Sequence, residues 1–268
     1  MHLKRWITGL SALPFLIFLV YKGGVIFSTL VSVASLVALW EYYRMVLGAR
    51  TRRPAGIILW WGYGVSFALI WAAYLGGPHF TLSLLAANLL VSAAISIFQF
   101  KSDRSVLEVI TGQLQGIIYI PVLLSFLVLI RQGSSGTTWI FILLAVIFAG
   151  DTGAYYVGSY FGRHKISPAI SPGKTIEGSI GGLGANLIAG IVGKSFFLPG
   201  LPWGTAILFF IAVGIAGQVG DLFESELKRS SGIKDSSGIL PGHGGILDRI
   251  DGLLFAAPVA YVFITFIF

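Results

Sequence analysis

Residues 204–223, GTAILFFIAVGIAGQVGDLF, and residues 252–268, GLLFAAPVAYVFITFIF, flank the most polar stretch of the chain, residues 225–251, SELKRSSGIKDSSGILPGHGGILDRID. Each flanking run approaches the roughly 20 apolar residues that a membrane-spanning helix needs. Charged side chains beside such helices are costly unless they are paired or have a function. We therefore expect a bundle of membrane helices with its chemistry concentrated in the polar stretch.

The whole chain follows the same pattern, because 56% of its 268 residues are hydrophobic and only 11% are charged. We predict an all-α polytopic integral membrane protein with about nine transmembrane helices and a polar cavity at the cytoplasmic face. The predicted spans are residues 6–21, 24–43, 56–75, 80–99, 111–130, 138–159, 175–193, 204–223 and 252–268. The first span does not resemble a cleavable signal peptide, since a second apolar run follows it at once.

Basic residues predict the orientation of these spans, because short loops rich in Lys and Arg are retained in the cytoplasm. Fifteen of the 18 basic residues fall in alternate segments, and the opposite loops hold only Lys22, Arg131 and Lys194. The N-terminus is therefore expected in the cytoplasm. A chain of this kind fits a bacterial plasma membrane.

Acidic residues divide the chain into two parts. Eight of the eleven Asp and Glu follow residue 150. We interpret the chain as a single membrane domain in which residues 1–135 are mainly scaffold and residues 136–268 are the catalytic half. The absence of cysteine excludes disulfides and thiolate chemistry, and four scattered histidines do not indicate a zinc site.

The first polar loop begins inside an apolar span with Asp151, in DTGAYYVGSYFGRHKISPAISPGKTIEG, residues 151–178. Asp151 is expected to face the bundle interior or a water-filled cavity; the alternative is a buried carboxylate that only joins helices. Gly173–Thr175, GKT, is not a P-loop, because proline occupies position 168, where that motif requires glycine.

The end of the first loop contains Ser171, Lys174 and Thr175 at a predicted helix start. Backbone N–H groups at a helix start, together with a lysine, can bind phosphate. Glu177 can serve there either as a helix-end charge or as a ligand. Gly181, Gly182 and Gly184 are interpreted as packing residues of the following span.

The second polar loop supplies carboxylates at helical spacings. Asp221 and Glu224 are three residues apart, with Lys228 four residues further along, and Asp248 and Asp251 are also three apart. Carboxylates held this close repel one another unless a cation lies between them. Hard oxygen ligands without Cys or clustered His favour Mg²⁺.

Cations and glycines complete this loop: Lys228, Arg229, Lys234 and Arg249, with a Pro-Gly-His-Gly-Gly element that includes His243, Gly244 and Gly245. Such a set can hold phosphates and a metal together, which favours phosphoryl or nucleotidyl transfer. The alternative, a loop of solvated ion pairs, explains the charges but not the glycine element.

These residues resemble the signature of the phosphatidate cytidylyltransferases, also called CDP-diacylglycerol synthases. The similarity lies in Ser225-x-Leu227-Lys228-Arg229, then Lys234-Asp235, then Pro241-x-His243-Gly244-Gly245-Ile246-x-Asp248-Arg249-Ile250-Asp251. Residues 151–178 resemble a second block of the family. Together the two blocks cover residues 150–252.

The resemblance implies a Mg²⁺-dependent nucleotidyltransferase that converts CTP and phosphatidate to CDP-diacylglycerol and pyrophosphate in phospholipid biosynthesis. Asp221, Asp248 and Asp251 are then expected to bind one or two cations. Lys228, Arg229, Lys234 and Arg249 are expected to bind phosphates, and Asp151 and Lys174, with Ser171, Thr175, Gly244 and Gly245, to complete the site. His243 either contacts a phosphate or shapes the glycine turn. The expected partners are CTP, phosphatidate and the membrane, without nucleic acid, and a homodimer is consistent with the family.

Two other classes of membrane protein share some of these features. Asp248-x-x-Asp251-Gly252 resembles the start of the metal motif of CDP-alcohol phosphotransferases, but no acidic residue follows Asp251 to complete that motif. An ion-coupled transporter would explain Asp151 and the glycine-rich spans. The chain, however, has no internal repeat, and its acids gather on one predicted face.

Overall fold

The structure is a computed structural model of the chain, and it describes residues 14–48, 56–76, 79–101, 104–240, 242 and 244–268. Within these ranges, eight helices are long and apolar enough to cross a membrane. They are α1 (Gly24–Val46), α2 (Gly56–Leu75), α3 (His79–Gln99), α4 (Val106–Gln132), α5 (Gly136–Phe161), α6 (Ile176–Phe197), α7 (Trp203–Ser230) and α8 (Leu247–Phe266). The prediction of an all-α polytopic membrane protein is confirmed.

The eight helices correspond to eight of the nine predicted spans. The first predicted span, residues 6–21, begins outside the described residues, although residues 14–22 are helical. A total of nine therefore stays a prediction. Two helices extend further into the polar stretch than expected, since α7 continues to Ser230 and α8 already begins at Leu247. Lys228 and Arg229 thus belong to the last turn of α7, where cations interact favourably with the helix dipole.

The described residues form two compact units. The first unit contains the residues up to 132 together with 233–249, and the second contains residues 133–232 and 250–268. The boundary near residue 132 lies close to the predicted division at residue 135. The loop 233–249, however, groups with the N-terminal helices.

Close contact between α1 and α4 forms much of the core of the first unit. Tyr42 and Leu39 of α1 are fully buried. A Cβ on Gly116 of α4 would lie 2.8 Å from the Tyr42 ring, so glycine is what allows this approach. A π-helical turn at Ile118–Val122 interrupts α4 and contains Pro121. Proline has no backbone N–H to donate, which accounts for an irregular turn at this point.

The second unit is built around equally close glycine contacts between α5 and α6. A Cβ on Gly181 would lie 2.5 Å from the Val157 side chain, and one on Gly182 would lie 2.9 Å from the Gly150 carbonyl oxygen. These two glycines are packing residues, as predicted. Gly184 has open space where a Cβ would point.

A short antiparallel hairpin connects α5 to α6. It consists of β1 (Lys165–Ser167) and β2 (Ser171–Thr175), with Lys165 opposite Thr175 and Ser167 opposite Ser171. Thr175 ends β2 and also caps α6, because its Oγ1 accepts a hydrogen bond from the Gly178 N–H at 3.1 Å. The hairpin therefore places Lys174 directly before the first turn of a helix.

Candidate active site

A cavity of about 600 Å³ lies in the second unit, between α5, the β1–β2 hairpin, the start of α6 and α7. A cavity of this size is typical of small-molecule sites. Five predicted site residues line it: Asp151, Ser171, Lys174, Thr175 and Asp221. The structure therefore brings together residues that are up to 70 positions apart in the sequence.

Asp151 lies in the C-terminal half of α5 and faces this cavity. Its position depends on the close packing of α5 against α6: a Cβ on the neighbouring Gly150 would lie 2.0 Å from the Asn186 amide oxygen. Asp151 is an exposed residue, which suits an acid that lines an open cavity.

Lys174 supplies a positive charge to the same cavity. Its Nζ lies 2.7 Å from Asp221 Oδ1 and 3.5 Å from Ser225 Oγ. Both partners belong to α7, so the lysine connects the end of the hairpin to that helix. The Lys174 and Asp221 side chains are 27% and 37% exposed, so both members of the ion pair remain accessible to a ligand.

A second carboxylate lies beside Asp221. The side chain of Asp251, in α8, is a hydrogen-bonding neighbour of Asp221, and Glu224 is the next acid nearby. Glycine permits this arrangement, because a Cβ on Gly220 would lie 2.5 Å from the Asp251 carbonyl oxygen. Two carboxyl groups that are close enough to hydrogen-bond repel each other when both are ionised. They therefore need a shared proton or a cation between them.

The Asp221–Asp251 pair has the chemistry that Mg²⁺ prefers, namely oxygen donors of high charge density. Within the described ranges, however, no three His, Cys, Asp or Glu side chains are grouped closely enough to hold a metal ion by themselves. Mg²⁺ usually keeps several water ligands and binds phosphate oxygens alongside one or two carboxylates. The donor pair therefore fits a magnesium ion that a phosphate ligand helps to hold.

Lys228 and Arg229, both predicted phosphate ligands, already have protein partners. Lys228 pairs with Glu224, one helical turn earlier, and the Glu224 side chain is completely buried. A buried carboxylate needs such a partner. Arg229 is exposed, and its Nε donates to the Ile170 carbonyl oxygen at 3.1 Å. It connects the end of α7 to the hairpin turn.

Glu177, interpreted as either a helix-end charge or a ligand, holds the chain that enters the hairpin. Its carboxylate accepts hydrogen bonds from the backbone N–H groups of Arg163 and His164 and lies 2.6 Å from His164 Nδ1. The side chain thus lies in the first turn of α6 while binding the segment before β1. These contacts favour the structural interpretation of Glu177.

Residues 233–249 of the second polar loop lie in the first unit, where Asp248 binds the loop itself. Asp248 Oδ2 lies 3.0 Å from both the N and Oγ of Ser236, and 2.8 Å from the Gly245 N. Gly244 has a φ of +77°, a conformation that favours glycine, and the Leu240 N–H donates to the Gly244 carbonyl oxygen at 2.9 Å.

The remaining predicted residues of this loop have different surroundings. Lys234 and Arg249 are exposed side chains of the first unit. His243 lies outside the described residues. The structure therefore leaves the predicted roles of Lys234, Arg249 and His243 as predictions.

Sequence reasoning missed several polar residues that the structure places at important positions. Ser179 and Gln218 line the cavity and bond to each other: the Ser179 hydroxyl donates to the Gln218 amide oxygen, and Gln218 Nε2 donates to the Ser179 carbonyl at 2.9 Å. Lys165 also borders the cavity. These residues could have been found from the sequence as polar side chains within apolar spans. The same criterion identifies Glu41 of α1, which is fully buried.

Comparisons with known proteins identify the family to which the chain belongs. Residues 3–267 match the family model described as "Cytidylyltransferase family". A protein of Bacillus subtilis (strain 168) named phosphatidate cytidylyltransferase is 34% identical, over 96% of this chain and 96% of its own length. A Synechocystis protein of the same name is 31% identical, over 99% of this chain and 97% of its own. One from Staphylococcus haemolyticus is 46% identical over about half of each chain.

Proposed function

The chain belongs to the cytidylyltransferase family, and we propose that it transfers the cytidylyl group of CTP to phosphatidate, giving CDP-diacylglycerol and pyrophosphate. The observation that carries the proposal is the cavity in which Lys174, Asp221 and Asp151 meet. It offers cationic and anionic side chains to a small ligand within a bundle of membrane helices. CTP is soluble and phosphatidate lies in the membrane, so a site for both must combine charged side chains for the phosphates with a position among membrane helices.

The reaction needs a phosphate oxygen to attack the α-phosphorus of CTP. A new phosphorus–oxygen bond forms to phosphatidate, and the bond between the α-phosphorus and the bridging oxygen to the β-phosphate breaks. Pyrophosphate leaves with the electron pair of that bond. Because the attacking phosphomonoester is already largely ionised near neutral pH, no strong general base is needed.

Positive side chains at the cavity stabilise the negative charge of the reacting phosphates. Lys174 is the best placed, since its Nζ lies beside Asp221 and the residue lines the cavity. Lys165 and the hydroxyl of Ser171 border the same cavity. Backbone N–H groups at a helix start add a favourable field for an anion. Lys228, Arg229, Lys234 and Arg249 stay predicted phosphate ligands.

Mg²⁺ is the cofactor that these residues fit. Asp221 and Asp251 would hold it, and Asp248 stays a predicted further ligand. When bound, the ion would neutralise phosphate charge that the lysines leave uncovered. Lys174 would remain close to the same carboxylate and orient the phosphate chain.

The membrane placement follows the distribution of basic residues. Lys165, Lys174 and Arg229 belong to the segments predicted to face the cytoplasm, which is where CTP is found. We infer that the cavity faces the cytoplasm, that the N-terminus lies on the same side, and that the protein resides in the plasma membrane of a bacterium. A homodimer stays a prediction.

A direct assay tests the proposed function. The purified full-length protein in lipid nanodiscs is incubated with CTP labelled in its α-phosphate, with Mg²⁺ and with phosphatidate. We expect the label to enter the lipid and one pyrophosphate to appear for each lipid labelled. Diacylglycerol, which lacks the attacking phosphate, is the matched control and should give neither product. Labelling of diacylglycerol, or no labelling with phosphatidate at any Mg²⁺ concentration, would contradict the proposal.

A further inference from the structure

Glu41 is a buried carboxylate for which the proposed reaction has no direct use. It is the single acidic residue in the sequence of α1, and its side chain is fully buried in the first unit. A buried carboxylate is strongly unfavourable unless hydrogen-bond donors surround it. The partners of Glu41 therefore indicate why it is there.

Among the residues that the structure describes, four donors surround Glu41, and they are Ser236, Ser237, Ile246 and Leu247. The Ile246 N–H donates to Oε1 at 3.0 Å, and the Leu247 N–H donates to Oε2 at 2.7 Å. The hydroxyls of Ser236 and Ser237 lie against Oε2 and Oε1. A residue of the N-terminal helices thus binds a segment about 200 positions further along the chain.

The two backbone donors show which element Glu41 fixes. Leu247 is the first residue of α8, and Ile246 precedes it. The first N–H groups of a helix have no partner within the helix, and a carboxylate at this end also interacts favourably with the helix dipole. Glu41 therefore caps α8 from another helix and determines where α8 begins, directly before Asp248 and Arg249.

The two serines extend this contact to the other side of the loop. Ser236 Oγ lies 3.1 Å from Glu41 Oε2 and 3.0 Å from Asp248 Oδ2. A hydroxyl has one proton, so Ser236 can donate to only one of these carboxylates at a time. Glu41 and Asp248 hold the same segment from two directions, with Ser236 between them.

Gly245 makes the arrangement sterically feasible. A Cβ at this position would lie 2.1 Å from Ser236 Oγ and 2.3 Å from Glu41 Oε1. Any larger residue would displace the carboxylate or the hydroxyl. The close packing therefore explains why position 245 requires glycine, independently of any role in nucleotide binding.

We propose that Glu41 is a positioning residue of the reaction: it fixes the start of α8 and the segment 236–247, and through them the orientation of Asp248 and Arg249. This inference rests on the proposed function, because it takes Asp248 and Arg249 as part of the catalytic apparatus. Glu41 itself touches neither substrate. It acts through the hydrogen bonds to Ile246, Leu247 and the two serines.

The test replaces Glu41 with Gln in the full-length protein in nanodiscs, because Glu41→Gln keeps the size of the side chain but leaves it with one acceptor oxygen. Hydrogen exchange of a peptide covering residues 236–247 is expected to accelerate by on the order of tenfold, since hydrogen bonds to a charged group are lost. The kcat of CMP transfer should fall by about the same factor or more, with a smaller change in the KM for CTP. If Glu41 only stabilised the fold, the variant would contain fewer active molecules, and the kcat of each active molecule would be unchanged.

The matched control is Glu108→Gln, which removes an exposed carboxylate of the same unit and should leave both exchange and kcat unchanged. Ser237→Ala removes one donor to Glu41 and serves as the second variant if Glu41→Gln does not fold. It should give intermediate changes in exchange and kcat. In the double variant, the effects should not add, because the two residues share one contact.

The inference would be overturned if both Glu41→Gln and Ser237→Ala exchanged residues 236–247 at the wild-type rate. An unchanged kcat for the folded variants would also overturn it. The exchange measurement needs no turnover. Failure of wild-type CMP transfer would therefore refute the proposed function, while the exchange result alone would still decide whether Glu41 holds the loop.

Discussion

The cavity of the second unit and the polar loop of the first unit both contain carboxylates, but these carboxylates bind different partners. In the cavity, Asp221 and Lys174 form an ion pair and both border open space, and the Asp251 carboxyl group lies beside Asp221. In the first unit, Glu41 of α1 and Asp248 accept hydrogen bonds from backbone N–H groups and serine hydroxyls of the loop. The comparison shows that the cavity leaves the charges of Lys174 and Asp221 accessible, whereas the first unit uses carboxylates to bind its own backbone.

The largest effect is expected for Asp221→Asn. It removes a negative oxygen donor from the cavity, and turnover should fall on the order of 10³-fold, the scale of losing a charge-stabilising group in an active site. Hydrogen exchange in residues 236–247 should stay at the wild-type rate. The measurement is CMP transfer into lipid over a series of Mg²⁺ concentrations, with Glu226→Gln as the control from an exposed position of the same helix.

Two results would contradict the role assigned to Asp221. Near-normal turnover of Asp221→Asn at all Mg²⁺ concentrations would remove Asp221 from the active site. Faster exchange in residues 236–247 would show that Asp221 also supports the loop.

Lys174→Gln should have the next largest effect. The variant loses the charge beside Asp221, and kcat/KM for CTP should fall roughly 10²-fold. Part of the dependence of KM on salt concentration should disappear with it, because added ions screen the attraction between a lysine and a phosphate. Lys22→Gln, which changes an exposed lysine on the predicted opposite face, is the matched control. Equal kinetics for both variants would leave Lys174 as a structural partner of Asp221.

Gly245→Ala tests the loop without changing any charge. The added Cβ must displace Ser236 or Glu41, and forced overpacking of this kind costs about 1–3 kcal/mol of unfolding free energy. We expect a lower apparent unfolding temperature, followed by tryptophan fluorescence, and faster exchange in residues 236–247. Gly184→Ala is the control, since open space surrounds that position. A Gly245→Ala variant with wild-type stability and exchange would contradict the close packing of the loop.

Thr175→Ala should have the smallest effect. Loss of the N-cap hydrogen bond to Gly178 is worth about 1 kcal/mol of stability. Thr175→Ser keeps the hydroxyl and should behave as the wild type in unfolding experiments. If Thr175→Ala lowers the kcat without lowering stability, the hydroxyl is a ligand group instead of a cap, and the cavity gains one more substrate contact.

The sequence was sufficient to predict most of the membrane helices because a spanning segment is a local property. Length and hydropathy located eight spans, and spacing placed Asp221, Glu224 and Lys228 on one helix. The ends of α7 and α8 were predicted too close to the apolar core. Both helices continue into polar sequence, where charged residues at the helix ends are still favourable.

The contacts between distant segments were not predictable from local pattern. Nothing in the residues around Glu41 indicates that its partners are Ile246 and Leu247, because the pairing depends on how the helices pack. The β1–β2 hairpin was also not predicted, since Ser-Pro and Pro-Gly pairs predict turns without indicating which strands they connect. Glu41 nevertheless left a signal, an acid inside an apolar span, that the division into scaffold and catalytic halves overlooked.

The shared hydroxyl of Ser236 has a consequence for building hybrid proteins. Because Glu41 and Ser236 are encoded far apart, a chimera that takes only its C-terminal half from this protein would inherit the loop without its anchor. Such a hybrid should recover activity only when the donor's α1 is transferred with the loop. The two segments must therefore be exchanged together, although most of the gene lies between the codons for them.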